Sequence, residues 1–154
     1  MLPGTTTSMA TAVPANRLST AQQALGLRSV FPDSAVALSP RRLHWTGRLQ
    51  PSELCRRYTV EIDYKRGHYP KVRVLAPELK ADDAGFLPHT YNDLSLCLHD
   101  AGQWDESMLI VDTIVPWAAE WLLHYEVWLA TNEWFGDHGD DVLRPTHYQE
   151  LPPL

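Results

Sequence analysis

Hydrophobic residues follow a helical spacing near the start of the chain and alternate with polar residues further on. Ser19 and Thr20 are residues that commonly cap helices, and the spacing after them predicts a helix through Val30, which Pro32 ends. From Leu43 onward the apolar period changes to two, which is typical of strands with one buried face. The clearest predicted strand carries apolar or aromatic side chains at every second position: Tyr58, Val60, Ile62 and Tyr64.

Two more strands flank this one in the predicted sheet. Residues 43–50 form the first strand, and Gly47 is expected to break it because glycine weakens a strand interior. Val72 and Val74 belong to a third strand, which Pro70 can only begin. With a turn at residues 65–67, these segments predict an antiparallel meander of three strands.

A second helical region is predicted over residues 105–130. Asp105 or Ser107 can cap its start, and Pro116 either kinks it or opens a second helix within the first turn. Its apolar stripe follows helical spacing and is interpreted as core: Ile114, Ala118, Trp121, Tyr125, Trp128 and Leu129. A helix, a meander, an irregular cysteine segment and further helices, in that order, predict an α+β domain.

The two ends of the chain lack this periodicity. Residues 1–16 are rich in Thr, Ser, Pro and Ala and are expected to form a flexible tail, and residues 141–154 are expected to form a second one. The domain is therefore predicted to span residues 17–140, and a chain of 154 residues is long enough for one core.

Composition narrows the class of function. The formal charge of −6 argues against nucleic acid as a partner. No run approaches the ~18–20 consecutive apolar residues of a membrane span, and the start of the chain does not have the pattern of a signal peptide. Two cysteines are too few for a disulfide framework, so a reducing cytoplasm is the simplest expectation.

Cys97 is the leading candidate for chemistry because of the short apolar run around it. If the run is extended, its side chains alternate between two faces. The face that points away from the core would then carry the Cys97 thiol beside the His99 imidazole, which is a suitable arrangement for a nucleophile. The alternative is a buried, inert cysteine, which is the common state of a free thiol. Three leucines would anchor the other face: Leu94, Leu96 and Leu98.

Other residues supply weaker candidates. Cys55 precedes two arginines, an electropositive neighbourhood, but it lacks a flanking anchor. His89 and Tyr91 lie shortly before Cys97 and could polarise or position a substrate, or could simply satisfy local hydrogen bonds. The histidines do not have the spacing of zinc ligands, and the sequence has no glycine-rich phosphate loop, so neither a metal nor a cofactor is predicted.

The order of these motifs resembles that of a ubiquitin-conjugating enzyme. Tyr69-Pro70 at a strand start, then His89, then Leu96-Cys97-Leu98 and Trp104 before a helix follow the order found in that family. The Trp-rich ending, through Trp134-Phe135-Gly136, is more similar to the bacterial branch, the conjugating-enzyme-like proteins of CBASS anti-phage operons. The resemblance covers about residues 18–140 and implies an N-terminal helix, an antiparallel meander, an active-site cysteine segment and C-terminal helices.

The resemblance also implies thioester chemistry. Cys97 would accept an acyl group from the C-terminus of a protein, and an amine such as that of lysine would then attack the thioester. The chain has no adenylation motif, so the carboxylate would either arrive already activated, for example by an activating enzyme, or react by an unusual route. In the CBASS branch the expected partner is a cGAS-like nucleotidyltransferase, whose C-terminus would be joined to a target or to Cys97 itself.

The residues that would assist Cys97 are less narrowly indicated. The His-Pro-Asn turn of the family is replaced by His89-Thr90-Tyr91, and Asn92 lies only five residues before the cysteine. Backbone N–H groups, His89 or Tyr91 could donate to the oxyanion, and His99 is a further polarising candidate. Two other functions stay as alternatives: a non-catalytic binding module on the same fold, and a small Cys-His hydrolase.

Overall fold

The computed structural model describes residues 16–136 and Leu154. The chain first forms one helix and four strands: α1 (Thr20–Val30), β1 (Ala35–Leu38), β2 (Arg42–Leu49), β3 (Tyr58–Lys65) and β4 (Lys71–Ala76). A single turn of 3-10 helix (Ile110–Asp112) then precedes the long second helix, α2 (Ile114–Thr131). The strands form one antiparallel sheet in the order β1-β2-β3-β4, which confirms the predicted α+β class.

The tails predicted at residues 1–16 and 141–154 lie outside the described residues, apart from Asn16 and Leu154, so they stay predictions. Within the described part of the chain, neither helix combines the length and the apolar character that crossing a membrane requires. In that same part, no cluster of three or more His, Cys, Asp or Glu side chains is arranged to hold a metal ion.

Helix α1 forms where Ser19 predicts it. Ser19 and Gln22 make a reciprocal capping box: the Gln22 N–H donates to Ser19 Oγ at 3.1 Å, and the Ser19 N–H donates to Gln22 Oε1 at 2.8 Å. The buried Gln23 side chain bonds to two backbone groups near the 3-10 turn, the Met108 carbonyl and the Ile110 N–H, each at 2.8 Å. These two bonds fix α1 to the segment that leads into α2.

Gly47 does not break β2, and that prediction is wrong. The strand runs through it, with Leu43, Trp45 and Leu49 buried on the same face. A Cβ atom at Gly47 would lie 2.2 Å from the Trp45 ring, which folds over this position. Trp45 Nε1 also donates to Ser34 Oγ at 2.8 Å. Gly47 therefore leaves room for a buried tryptophan, and the strand continues past it.

The sheet has one strand more than the hydrophobic pattern predicts. Strand β1 is four residues long and lies at the edge of the sheet, where it pairs antiparallel with β2 from Ala35–Thr46 to Leu38–Leu43. Three of its residues are exposed and Val36 is half-buried. Because β1 covers little of the core, its sequence does not need the alternation by which strands are recognised.

The second helix begins later than its pattern predicts. Asp105 does not cap it: Asp105 Oδ1 accepts the Ser107 N–H at 2.8 Å and makes a local turn instead. Helix α2 starts at Ile114, and Pro116 lies in its first turn, where the missing N–H of proline is tolerated. The helix ends before Asn132, which has a left-handed backbone with φ of 62°.

The core lies between the sheet and the helices. Tyr125 of α2 packs edge-on against Tyr58 of β3, with ring centroids 6.4 Å apart. Leu129 is the exception in the predicted stripe, since it is exposed. The other five residues of the stripe are buried, as predicted: Ile114, Ala118, Trp121, Tyr125 and Trp128.

Glu106 is a buried carboxylate that joins three segments. It accepts hydrogen bonds from the Gly67 N–H at 2.7 Å, the Tyr64 hydroxyl at 2.8 Å and Arg17 at 2.9 Å. Its own carbonyl accepts the Leu18 N–H at 2.9 Å. Burial by itself raises the pKa of Glu106, but the bonds from Gly67, Tyr64 and Arg17 outweigh it and hold this pKa below its ordinary value.

Replacing Glu106 by Gln is expected to lower the free energy of unfolding at pH 7 by about 2 kcal/mol, because its buried donors lose a charged acceptor. The folded pKa of Glu106 is lowered. The carboxylate therefore stabilises the fold above the pKa of an unfolded glutamate, about 4.3, and this contribution is lost as the pH falls through the folded value. Urea denaturation at pH 7 and pH 4 should show the larger difference at pH 7.

The control for this measurement is Glu53→Gln, because Glu53 is exposed in the loop between β2 and β3. This variant should unfold like the wild-type protein at both pH values. A Glu106→Gln protein as stable as the wild type at pH 7 would contradict the role given to Glu106.

Candidate active site

Cys97 lies at the end of a short hairpin, residues 89–97, which we call the cysteine hairpin. Thr90 and Leu96 form an antiparallel bridge across it. The Tyr91 N–H donates to the Ser95 carbonyl at 2.9 Å, and the Cys97 N–H donates to the His89 carbonyl at 2.8 Å. This pairing fixes the backbone of Cys97 opposite that of His89.

The cysteine hairpin is attached to the edge of the sheet at β4. The Leu96 N–H donates to the Val72 carbonyl at 2.9 Å. Leu96 is buried and Leu98 packs against the core, so these two leucines anchor the segment as predicted. Leu94 does not: it is 64% exposed, with φ of 65°, because the hairpin reverses direction there through a bond from the Leu94 N–H to the Tyr91 carbonyl. The predicted face of three leucines is therefore wrong at Leu94.

The Cys97 thiol is half-buried, and Tyr91 and Asp100 act on its charge. Burial raises the pKa of the Cys97 thiol, and the negative charge of Asp100 raises it further. A hydrogen bond from the Tyr91 side chain acts in the opposite direction and lowers this pKa. Burial and Asp100 together outweigh Tyr91, so the pKa of Cys97 lies above its ordinary value and the thiol is protonated near neutral pH.

His89 contributes its backbone to the site. Its carbonyl accepts the Cys97 N–H and also the Trp121 indole N–H, the latter at 2.9 Å. The residue is buried and has a left-handed backbone, with φ of 50°. Its imidazole packs on Trp134, with ring centroids 4.8 Å apart. The contact with Cys97 that the structure describes for His89 is therefore that of its carbonyl.

His99 belongs to an aromatic cluster next to the cysteine hairpin. Its ring centroid lies 5.1 Å from that of Tyr69 and 5.5 Å from that of Trp117. Its Nδ1 lies 2.9 Å from the Asp100 carbonyl oxygen. Tyr69 also packs on Trp104, at 6.5 Å, so the structure brings together residues from three separate sequence motifs.

Cys55 lies in a different environment, in the loop between β2 and β3. Its sulfur accepts a hydrogen bond from Ser52 Oγ at 3.2 Å, and its carbonyl accepts one from Gln50 Nε2 at 2.9 Å. Both cysteines are free thiols. The contacts of Cys55 are with its own loop, and none of those described joins it to the cysteine hairpin.

Two contributions to the site escape the sequence patterns. Trp121 is predicted only as core, whereas its indole N–H also bonds to the hairpin. The sequence patterns give Asp93 no partner on a strand, whereas its carboxylate accepts bonds from Lys71 Nζ at 3.0 Å and from the Arg73 guanidinium at 3.1 Å. The one sequence signal for the second contribution is the spacing of Asp93 and Ser95, which is typical of a side chain that bonds to a backbone two residues on.

Three backbone donors near the sulfur are already engaged. The N–H groups of Tyr91, Leu96 and Cys97 each donate to a protein carbonyl. An oxyanion formed at the sulfur would therefore not find these three groups free. The Tyr91 side chain is a further polar donor, close enough to the thiol to lower its pKa.

The helix, the four-stranded antiparallel sheet and the cysteine hairpin that leads into a second helix define an E2-like α+β protein. Residues 23–141 match the family described as Type II CBASS E2 protein. This match spans well over half of the chain, and the chain therefore belongs to that family. No curated protein matches the chain. Membership confirms the resemblance found in the sequence and assigns the chain a role in CBASS defence, with partners in that system.

The two neighbours of the sulfur are expected to change its reactivity in opposite directions. Tyr91→Phe removes a bond that lowers the pKa of Cys97, so alkylation by iodoacetamide at pH 8 should be about three- to tenfold slower. Asp100→Asn removes a charge that raises this pKa, so alkylation should be about twofold faster. Rates measured from pH 7 to 10 by intact-mass spectrometry, with Cys55→Ser in every protein, would give both shifts. Shifts of the same sign would rule out this account of the thiol.

Proposed function

We propose that this protein is an acyl carrier that holds the C-terminus of a partner protein as a thioester on Cys97. Family membership and the E2-like fold support this proposal, because the family name indicates a conjugating enzyme. The observation that carries it is the cysteine hairpin, which backbone and indole hydrogen bonds fix to both β4 and α2, with the Tyr91 side chain close enough to the thiol to lower its pKa. The cysteine is thus held in place beside a polar donor, as an acyl-accepting thiol must be.

The reaction has two steps on the same sulfur. In the first, the Cys97 thiol loses its proton and attacks the carbonyl carbon of an activated acyl group, and the bond to the leaving group of that acyl donor breaks. In the second, an amine nitrogen attacks the thioester carbonyl, the carbon–sulfur bond breaks, and the amine proton is lost as the thiol is restored. Neither step requires a cofactor, but the first requires a carboxylate that has already been activated.

Tyr91 is the oxyanion donor in this proposal. Both steps pass through a tetrahedral intermediate whose oxygen carries negative charge next to the sulfur, and the Tyr91 hydroxyl can donate to it. Removal of one donor of this kind elsewhere costs about 2.7–4 kcal/mol of transition-state stabilisation. His89 holds the hairpin in place through its backbone carbonyl. His99 lies in the aromatic cluster and is a weaker candidate for polarising the substrate.

The raised pKa of the thiol agrees with a donor that arrives activated. A protonated thiol near neutral pH is a weak nucleophile toward an ordinary amide or carboxylate. An acyl adenylate or a thioester has a good leaving group and needs less from the attacking sulfur. We propose an activating enzyme as the source of this donor, a cGAS-like nucleotidyltransferase as the protein whose C-terminus is transferred, and the cytoplasm as the place of the reaction.

One observation favours a second candidate, a non-catalytic binding module on the same fold. The half-burial of Cys97 and its raised pKa are also the properties of an inert structural thiol. The structure gives less support to a Cys-His hydrolase. The described contacts of the His89 and His99 rings are with aromatic rings and a backbone oxygen, and none of them is with the Cys97 sulfur. Adduct formation separates the first two: a catalytic Cys97 should form a thioester with the C-terminus of the partner, whereas an inert one should not.

Cys97→Ala is expected to abolish a covalent adduct with the cognate nucleotidyltransferase while leaving the fold intact. The adduct would be detected by intact-mass spectrometry after incubation with that partner, ATP and a candidate adenylating enzyme. It should be cleaved by excess thiol reductant, as thioesters are. Cys97→Lys should trap an isopeptide that resists the reductant, and Cys55→Ser is the matched control that keeps the adduct. An unchanged adduct in Cys97→Ala would refute the assignment.

A further inference from the structure

The tip of the cysteine hairpin is connected to β4 through one residue, Asp93, mainly by its carboxylate. One of its oxygens accepts the Ser95 N–H at 3.0 Å and the Ser95 hydroxyl. The other accepts Lys71 Nζ at 3.0 Å and the Arg73 guanidinium at 3.1 Å. The Asp93 carbonyl accepts a further bond, from Arg73 Nε at 3.2 Å.

These contacts bear directly on where the Tyr91 backbone lies. Ser95, which Asp93 holds through two bonds, is the partner of Tyr91 across the hairpin, since its carbonyl accepts the Tyr91 N–H at 2.9 Å. The Leu94 N–H closes the same turn on the Tyr91 carbonyl, also at 2.9 Å. A hairpin tip that moved away from β4 would therefore carry Tyr91 with it.

Strand β4 holds the hairpin at two levels with three consecutive residues. Val72 accepts the Leu96 N–H through its carbonyl, next to the cysteine. Lys71 and Arg73, on either side of Val72, reach the hairpin tip through Asp93. Burial by itself raises the pKa of Asp93, but the Ser95 bonds and Lys71 lower it, so the carboxylate is charged throughout the range in which the thiol titrates.

We propose that Asp93 is a positioning residue, which holds the Tyr91 hydroxyl at the Cys97 sulfur by tying the hairpin tip to Lys71 and Arg73 of β4. The proposal deepens the function proposed above and rests on it for its meaning in catalysis. It goes further in assigning a role to three charged side chains that do not touch the sulfur in any described contact. Asp93 acts on Cys97 only through Tyr91, and this is what an experiment can test.

The same local turn occurs a second time in the chain without the ion pairs. Asp105 Oδ1 accepts the Ser107 N–H at 2.8 Å and also the Ser107 hydroxyl, as Asp93 does with Ser95. The described contacts of Asp105 include no lysine or arginine. Asp105→Asn is therefore a matched control that removes the carboxylate of an equivalent turn away from the hairpin.

The test is a double-mutant cycle on the alkylation rate of Cys97, with Cys55→Ser in every protein. Asp93→Asn alone should slow alkylation at pH 8 about threefold and displace the pH profile to higher pH, because the Tyr91 bond to sulfur is weakened. In a Tyr91→Phe background the same change should have no further effect. Asp105→Asn should leave the rate and the profile unchanged.

One more protein and one more measurement test whether the effect is a simple loss of folding. Lys71→Gln combined with Arg73→Gln removes the other side of the contact and should reproduce the slower alkylation of Asp93→Asn. Thermal unfolding of all variants should show one cooperative transition above the assay temperature. If Asp93→Asn slows alkylation by the same factor with and without Tyr91, or has no effect with Tyr91 present, the proposal is overturned.

The cycle also separates this proposal from the proposed function. Alkylation needs no partner protein, so coupling between Asp93 and Tyr91 can be observed even if Cys97 forms no adduct with a nucleotidyltransferase. That outcome would leave Asp93 a positioning residue and remove the thioester assignment. An adduct in the wild-type protein together with additive effects of Asp93→Asn and Tyr91→Phe would remove the positioning role alone.

Discussion

One backbone carbonyl, that of His89, joins the cysteine hairpin to helix α2. It accepts the Cys97 N–H and the Trp121 indole N–H, so the cysteine hairpin and helix α2 share an acceptor. Both donors would otherwise be left without a partner, and an unsatisfied buried donor costs about 1–3 kcal/mol. The left-handed backbone of His89 directs the carbonyl toward both donors. The location of the sulfur thus depends on the packing of a tryptophan in the core.

The sheet supplies the second support of the hairpin. Strand β4 accepts the Leu96 N–H on Val72 and carries the cations that bind Asp93 at the tip. At one end of the sheet, Glu106 bonds to Tyr64 and to the Gly67 N–H at the β3–β4 turn. Its backbone carbonyl also accepts the Leu18 N–H, so Glu106 connects this turn to the segment before α1. A hairpin held from both layers has little freedom left to lose, which is the condition under which the hydroxyl of the proposed donor Tyr91 would be most effective.

Local patterns predict most of the fold because most elements have one buried face. Strand β3 and helix α1 follow directly from alternation and capping, whereas β1 is too exposed to leave a pattern. The site is harder to predict. The alternation rule finds Cys97 but fails at Leu94, because the direction of the chain there is set by the turn at the hairpin tip and by contacts with distant strand residues. The role of Trp121 is hidden for the same reason.

The opposing influences on the thiol fit a carrier better than a hydrolase. Burial and the charge of Asp100 disfavour the thiolate, but they do not act against a thioester, which is neutral. In the proposed carrier, the same environment would make the Cys97 thiolate a poorer leaving group, so a bound acyl group would persist until an amine is delivered to it. The proposed donor Tyr91 would act at the moment of transfer, because its hydroxyl can stabilise charge on the oxygen and on the departing sulfur.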